Sequence, residues 1–206
     1  MQVYLVRHGQ TEWNVKGLLQ GSSDIPLTEE GRQQATRAAQ ALARRIGPQP
    51  IIVTSPLERA RHTAQALADV VGVDVTVDDR LRERAYGAWE GITPQERESQ
   101  WAEEVAVWRN HGEPNVPGFE LHDAVRTRMV AALEEAAESA SAGSAVVAFA
   151  HGSCARVGLH GLLGIPLTHR TIGNLGNTAW SQLTRRGRGD WTLDRHNVTA
   201  AFIEAA

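Results

Sequence analysis

Cysteine and lysine are nearly missing from this 206-residue chain: Cys154 and Lys16 are the sole examples, against 21 basic residues in all. A single thiol excludes an internal disulfide and a cysteine-built zinc site. Long apolar runs are missing as well. No segment approaches the ~20 apolar residues that span a bilayer, and no basic start leads into a long apolar segment. Neither a membrane partner nor a secretory signal is therefore expected. The net charge is only −3, so no general attraction to nucleic acid is expected, and any anion site must be local. With 42% hydrophobic and 22% charged residues, the composition is globular, and the length suits one well-buried domain better than two. We expect one cytoplasmic domain over residues 1–206.

What the chain does have is an apolar run at residues 3–6 that stops abruptly at Arg7, His8 and Gly9. A buried strand ending this way delivers a cation, an imidazole and a flexible glycine to the sheet's carboxyl edge, where open α/β folds bind ligands. Such a pair suits an anion, phosphate first among them; alone, it equally suits a strand-end histidine bonded to a neighbouring loop. Residues 10–26 are polar and read as a long loop. Thr28 then caps a helix, with Ala35, Ala38, Ala39, Leu42 and Ile46 on one face until Gly47-Pro48. A strand at 51–53, a helix from Ser55-Pro56 to about residue 71 and a strand at 73–77 complete a β-α-β-α-β order. That order predicts a largely parallel sheet with helices on both faces. Residues 81–118 are the least regular. A capping-box spacing at Thr93 and Glu96 starts a helix, and Trp101, Val105 and Trp108 follow at helical spacing. Residues 92–118 read as a lid-like insertion over the sheet's carboxyl edge. A helix at about 120–141 and an apolar strand at 145–150 follow, and the strand ends in His151-Gly152. A helix at 153–163 and strands near 178–184 and 191–195, around an arginine-rich turn at 185–189, close the chain.

Four strand ends or following loops thus carry notable polar groups: residues 7–9, 55–60, 81–84 and 151–152. To these add Thr11-Glu12-Trp13-Asn14, Leu27-Thr28-Glu29-Glu30-Gly31, the full run Ser-Pro-Leu-Glu-Arg-Ala-Arg-His-Thr-Ala at 55–64, and Gly87-Ala88-Trp89-Glu90-Gly91. In that order the motifs cover nearly the whole chain, which resembles the histidine phosphatase superfamily, also called phosphoglycerate mutase-like. The resemblance implies an α/β fold, a three-layer α/β/α sandwich with a mostly parallel central sheet. It implies that His8 takes a phosphoryl group on a ring nitrogen and that water then hydrolyses the phosphohistidine. Arg7, Arg59 and Asn14 would hold the phosphate, with His151, if protonated, as a third cationic donor. Glu83 would be the general acid and then the base. Gln20, Gly21, Arg84, Tyr86, Glu120 and Gly152 are implied around the substrate, Glu120 also as a support of the catalytic network. No metal and no cofactor are implied; the partner is a small phosphorylated metabolite, and a homodimer is left open. The cationic neighbours are expected to keep His8 neutral.

Alone, His8 and His151 would each read as structural, Arg59 as a surface cation, and Glu83 as no better a candidate than Glu90. The ordered motif set reverses each of these. His62, His111, His122, His160, His169 and His196 show no metal-ligand spacing and read as solvated or hydrogen-bonded groups. A thiol phosphatase built on Cys154 would need an arginine where His160 stands. Within the family, mutases typically carry an Asn-Lys pair after the Gly91 position and a later Arg-Arg pair. Here the residues are Ile92-Thr93-Pro94-Gln95 and Trp108-Arg109-Asn110. Fewer cations favour transfer to water. A phosphatase is therefore expected, with a phosphoglycerate mutase as the alternative. An inactive binding module ranks last, since none of His8, Arg59, Glu83 and His151 is lost. A finer resemblance, in residues 176–183, Trp191-Thr192-Leu193 and Asn197, is to the glucosyl-3-phosphoglycerate phosphatase branch, with the ribazole phosphatase branch and a broad-specificity phosphatase as alternatives.

Overall fold

The computed structural model describes residues 1–141, 143–168, 171–187 and 189–201. In chain order these form β1 (Gln2–Arg7), α1 (Glu12–Lys16), α2 (Glu29–Ala43), β2 (Ile51–Thr54), α3 (Glu58–Val71) and β3 (Val75–Val77). Two single 3-10 turns, Asp79–Leu81 and Gly87–Trp89, lead to α4 (Pro94–Gln100), α5 (Ala102–Arg109) and α6 (His122–Ser139). β4 (Ala145–Ala150), α7 (Gly152–Leu162), β5 (Trp180–Gly187) and β6 (Asp190–Val198) follow.

The strands form one sheet in the order β3-β2-β4-β1-β5-β6. The first four are mutually parallel, and β5 and β6 add an antiparallel edge. Strand alternation sorts the core into two layers. Val3 and Leu5 pack with Val146, Ala148 and the apolar faces of α6 and α7. Tyr4 and Val6 pack with Val147, Phe149 and the alanine-leucine faces of α2 and α3. β4 is buried at all six residues, so its unbroken apolar run follows from helices on both faces. Burying a side chain of Phe149's size contributes roughly 1.5–3 kcal/mol. A third, smaller cluster of Tyr86, Trp89, Val105 and Val116 forms within the 81–118 excursion.

This topology sets three carboxyl ends side by side, on β2, β4 and β1. The His8 N–H bonds to Ala150 O at 3.1 Å and the Ser55 N–H to Phe149 O at 3.0 Å, so His8, His151 and Ser55 leave the sheet together. The loop after β1 rests directly on the first turn of α2. A Cβ on Gly9 would lie 2.4 Å from Gly31 O, and one on Gly31 2.1 Å from Gln10 O.

Several sequence expectations need correction. Residues 10–26 are not wholly loop, because Thr11 and Asn14 form a capping box that closes the one-and-a-half-turn α1. Pro56 lies before α3, whose N-cap is Leu57. The helical spacing of Trp101, Val105 and Trp108 spans two helices, because Trp101 leaves helical geometry at φ −138° and ψ 38°. α6 begins at His122, not residue 120. The arginine-rich turn is shorter than expected: Arg185 and Arg186 lie in β5. Arg185 stacks 5.7 Å from the Trp191 ring and bonds Glu138. Arg188 and His169 lie outside the described residues. No described helix is long and apolar enough to cross a membrane.

Candidate active site

His8 follows β1 directly and is 2% exposed. Its Nδ1 meets Gly9 O at 2.7 Å. A carbonyl only accepts, so the proton sits on Nδ1 and the lone pair on Nε2. Burial first, then the guanidinium groups of Arg59 and Arg7, hold this imidazole well below its ordinary value of 6.5. His8 is therefore neutral, as expected from its neighbours. The Gly9 N–H donates to Thr63 Oγ1, which donates in turn to Arg59 O, tying the loop after β1 to the first turns of α3.

Arg59 is fully buried, and three of its donors are engaged. Nε–H donates to His151 Nδ1 at 3.2 Å, Nη1 to Ser23 O at 2.7 Å and Nη2 to Gly21 O at 2.9 Å. His151, whose ring centroid lies 5.0 Å from that of His8, is thus an acceptor on Nδ1. Its Nε2 carries the proton shared with Ser55 Oγ at 2.7 Å. Burial, then Arg59, His8 and Arg7, hold it well below 6.5. Against the expectation of His151 as a third cation, burial first and then the neighbouring guanidinium groups disfavour a charge on this ring, which instead accepts from Arg59. Arg7 bonds Leu175 O at 2.7 Å through Nη1, while its buried Nε has no hydrogen-bond partner among the described residues.

Glu83 accepts three backbone N–H bonds: from Arg84 and Cys154 at 2.8 Å on Oε1, and from Ser153 at 3.0 Å on Oε2. The first turn of α7 thereby fixes the carboxylate, with the helix's positive end behind it. Glu90, the other candidate, does something different. It collects the N–H groups of Ser22, Ser23 and Tyr86 and both serine hydroxyls. It therefore holds the loop whose carbonyls hold Arg59.

A cleft of about 190 Å³ is lined by Arg7, His8, Asn14, Gln20, Gly21, Arg59, Glu83, Tyr86 and Gly152 among others. Nine of the sequence-predicted residues therefore converge. Asn14 Oδ1 accepts from Thr11 N and from Asn177 Nδ2, which turns its amide NH2 outward. Gln20 Oε1 accepts from Thr11 Oγ1 at 3.0 Å. Arg84, Glu120 and His151 do not line the cleft. Arg84 is buried against Phe119, 4.2 Å from its ring centroid. Glu120 takes both Nε and Nη2 of Arg128 at 2.8 and 2.9 Å, and Arg128 donates to the carbonyls of Arg80, Arg82 and Glu83. Burial alone would raise the Glu120 carboxyl, yet Arg128 and Arg82 hold it down. Glu120 thus supports the acid-bearing loop from behind.

Ser153, Arg156 and Asn174, which no motif had marked, also line the cleft, as does Trp108, which the sequence placed in the lid-like insertion. His62, His122, His160 and His196 each face a neighbouring side chain or carbonyl: Glu58, Glu113, Pro166 and Ser181. Among the described residues no group of three or more His, Cys, Asp and Glu could hold a metal ion.

Comparison with known proteins gives concordant results. The family model of the histidine phosphatase superfamily (branch 1) matches residues 3–199. The glucosyl-3-phosphoglycerate phosphatase of Mycolicibacterium vanbaalenii is 36% identical over 217 residues, covering 97% of this chain and 95% of the relative. A probable phosphoglycerate mutase GpmB of Yersinia enterocolitica is 39% identical over 173 residues, covering 81% and 76%. Among solved structures, a mycobacterial glucosyl-3-phosphoglycerate phosphatase in complex with VO3 superposes with a TM-score of 0.87 at 34% identity, covering 96% of this chain and 99% of that one.

Proposed function

This chain belongs to the histidine phosphatase superfamily and is a phosphoric monoester hydrolase; within that activity, we propose that the phosphoryl group passes first to Nε2 of His8 and then to water. The observation that carries this reading is the His8 Nδ1–H bond to Gly9 O, which leaves the Nε2 lone pair beside Arg7 and Arg59. In the first step Nε2 bonds to phosphorus as the ester P–O bond breaks, and Glu83 gives its proton to the departing oxygen. Gly9 O then faces an imidazolium N–H, a stronger donor than before. In the second step water attacks phosphorus, Glu83 takes its proton, and the P–N bond breaks. Arg7 and Arg59 offer forked donors to the equatorial oxygens, where phosphoryl transfer needs charge neutralised. The unpartnered Arg7 Nε is one such donor, and the Asn14 amide another.

The substrate we propose is a small phosphorylated metabolite handled in the cytoplasm; relatives named for glucosyl-3-phosphoglycerate support that class. The phosphatase names at full coverage outweigh the mutase names at partial coverage. The test is hydrolysis of p-nitrophenyl phosphate by wild type and His8→Ala, with acid-quenched enzyme probed for an acid-labile phosphoryl adduct. The expected result is a fall of roughly 10³-fold or more and loss of the adduct. Full activity in His8→Ala, or efficient interconversion of 2- and 3-phosphoglycerate, would overturn the reading.

A further inference from the structure

Residues 176–183, the run that resembles one phosphatase branch, also carry a side chain that reaches the reacting centre. Ahead of β5 the chain crosses the carboxyl end of β1 as a short strap, residues 175–179. Leu175 O accepts from Arg7 Nη1 at 2.7 Å. The Thr178 N–H is shared between Arg7 O and His8 O, at 3.1 and 3.2 Å, and the Arg7 N–H returns to Ala179 O at 3.0 Å. The strap is thus fastened to the two residues that open the cleft.

Its backbone is strained. The Ala179 N–H bonds Gly176 O at 3.1 Å and closes a four-residue turn, with Thr178 in the third position at φ 56°. Glycine is the usual residue there, and a β-branched side chain is an outlier. Such geometry persists only where the surroundings over-determine it. Here they do, because the Gly176 N–H also donates to Asn197 Oδ1 on β6 and Thr178 Oγ1 donates to Asn177 O, both at 2.8 Å. The turn therefore holds Asn177 in a set place.

From that place Asn177 Nδ2 donates to His8 O and to Asn14 Oδ1, each at 3.1 Å. Main-chain groups with a single role fix both amides. His8 O only accepts, so the Asn177 atom facing it is the NH2, and its two hydrogens serve the two acceptors. The Thr11 N–H only donates, at 3.0 Å, so the Asn14 atom facing it is the oxygen. With that oxygen shared by Thr11 and Asn177, the Asn14 NH2 is left for the cleft, which Asn14 lines and Asn177 does not.

We propose that Asn177 is a positioning residue for phosphoryl transfer. Anchored on His8 O, it holds Asn14 in the amide orientation that offers a donor to the phosphoryl oxygens. The inference rests on the phosphatase reading above, and it gives a part in the reaction to a residue that never meets substrate.

The test measures competitive inhibition by inorganic phosphate, with kcat/KM for p-nitrophenyl phosphate, in Asn177→Ala, Asn177→Leu, Asn14→Ala and the Asn14→Ala/Asn177→Ala double variant. Both substitutions at 177 should weaken phosphate about five- to tenfold, part of the worth of one hydrogen bond to a charged group. A packing role would instead spare the leucine variant, which keeps the bulk and loses only the donor. Asn14→Ala should weaken phosphate about tenfold or more. On that background Asn177→Ala should add less than about twofold, because the two residues act as one unit. Additive losses, or phosphate inhibition of wild-type strength in folded Asn177→Leu, overturn the proposal. If the variants at 177 do not fold, nuclear magnetic resonance on wild type decides: phosphate should shift the Asn14 side-chain amide protons more than those of Asn177, and the reverse order overturns it equally. His8-dependent hydrolysis of p-nitrophenyl phosphate is run alongside. Its absence would sink the phosphatase reading, while its presence with additive losses would sink only the role of Asn177.

Discussion

Arg59 donates through Nε to Nδ1 of His151 at 3.2 Å, and the far side of that imidazole donates to Ser55 Oγ at 2.7 Å. The second histidine therefore props Arg59, the arginine we propose holds the phosphate. His151→Ala is expected to lower kcat about 10²–10³-fold, the scale of losing one preorganised donor. Ser55→Ala, which loosens the prop without removing it, should cost about tenfold. Wild-type kcat in Ser55→Ala beside an inactive His151→Ala would show that the prop role is wrong.

Buried neutral histidines make the fold sensitive to acid. His8 and His151 both titrate well below 6.5 in the native state. Below pH 6.5 the unfolded chain takes up protons that the folded chain refuses, so stability falls as pH falls. The slope is about 1.4 kcal/mol per pH unit for each group. Urea midpoints should drop between pH 7 and pH 5, with a shallower slope in His8→Asn. For the same reason the acid limb of kcat/KM should not reflect His8 protonation near pH 6.5; a limb there that vanishes in no other variant would contradict this.

The Glu120–Arg128 pair is nearly buried, with side-chain exposures of 13% and 10%. Removing one partner strands the other charge, a loss of about 3–5 kcal/mol. Glu120→Gln should therefore lower the urea midpoint markedly. In its folded fraction kcat should fall more than KM rises, because the loop carrying Glu83 is released while Arg7 and Arg59, the proposed phosphate ligands, stay put. A KM effect alone would argue against this.

Gly21 and Gly17 both have positive φ, 49° and 68°, but only one is crowded. A Cβ at residue 21 would fall 1.9 Å from Glu90 Oε1, whereas one at residue 17 meets nothing within 4 Å. Gly17→Ala should cost about 1 kcal/mol of stability with little effect on turnover. Gly21→Ala should displace the loop that accepts from Arg59 and weaken competitive inhibition by inorganic phosphate about tenfold or more. Equal phosphate inhibition constants in the two variants would refute the role of that loop.

The sheet and its flanking helices were legible in the sequence, because apolar runs ending in polar residues carry that information locally. The convergence of His8, Arg59 and Glu83 was implied only by the ordered motif set and the family resemblance it carries. α1 was not legible, because a capping box of Thr11 and Asn14 with five residues behind it leaves no periodic apolar face. The break at Trp101 was hidden for the opposite reason: Trp101, Val105 and Trp108 keep helical spacing across it. Arg156 escaped notice because its relation to the cleft depends on which face α7 turns toward β1, and no motif reports that. The depressed titration of His151 depends on burial and on surrounding groups, Arg59 first, that tertiary structure alone assembles.

Glu83 is held by the main-chain N–H groups of Ser153 and Cys154, so the grip does not depend on which side chains stand there. Mutational drift at position 153 can leave the carboxylate where it is, provided proline is avoided. Position 153 also borders the cleft. A substitution there can reshape the cleft while Glu83, the proposed proton donor and acceptor, keeps its place, which makes it a natural first site for redesigning selectivity.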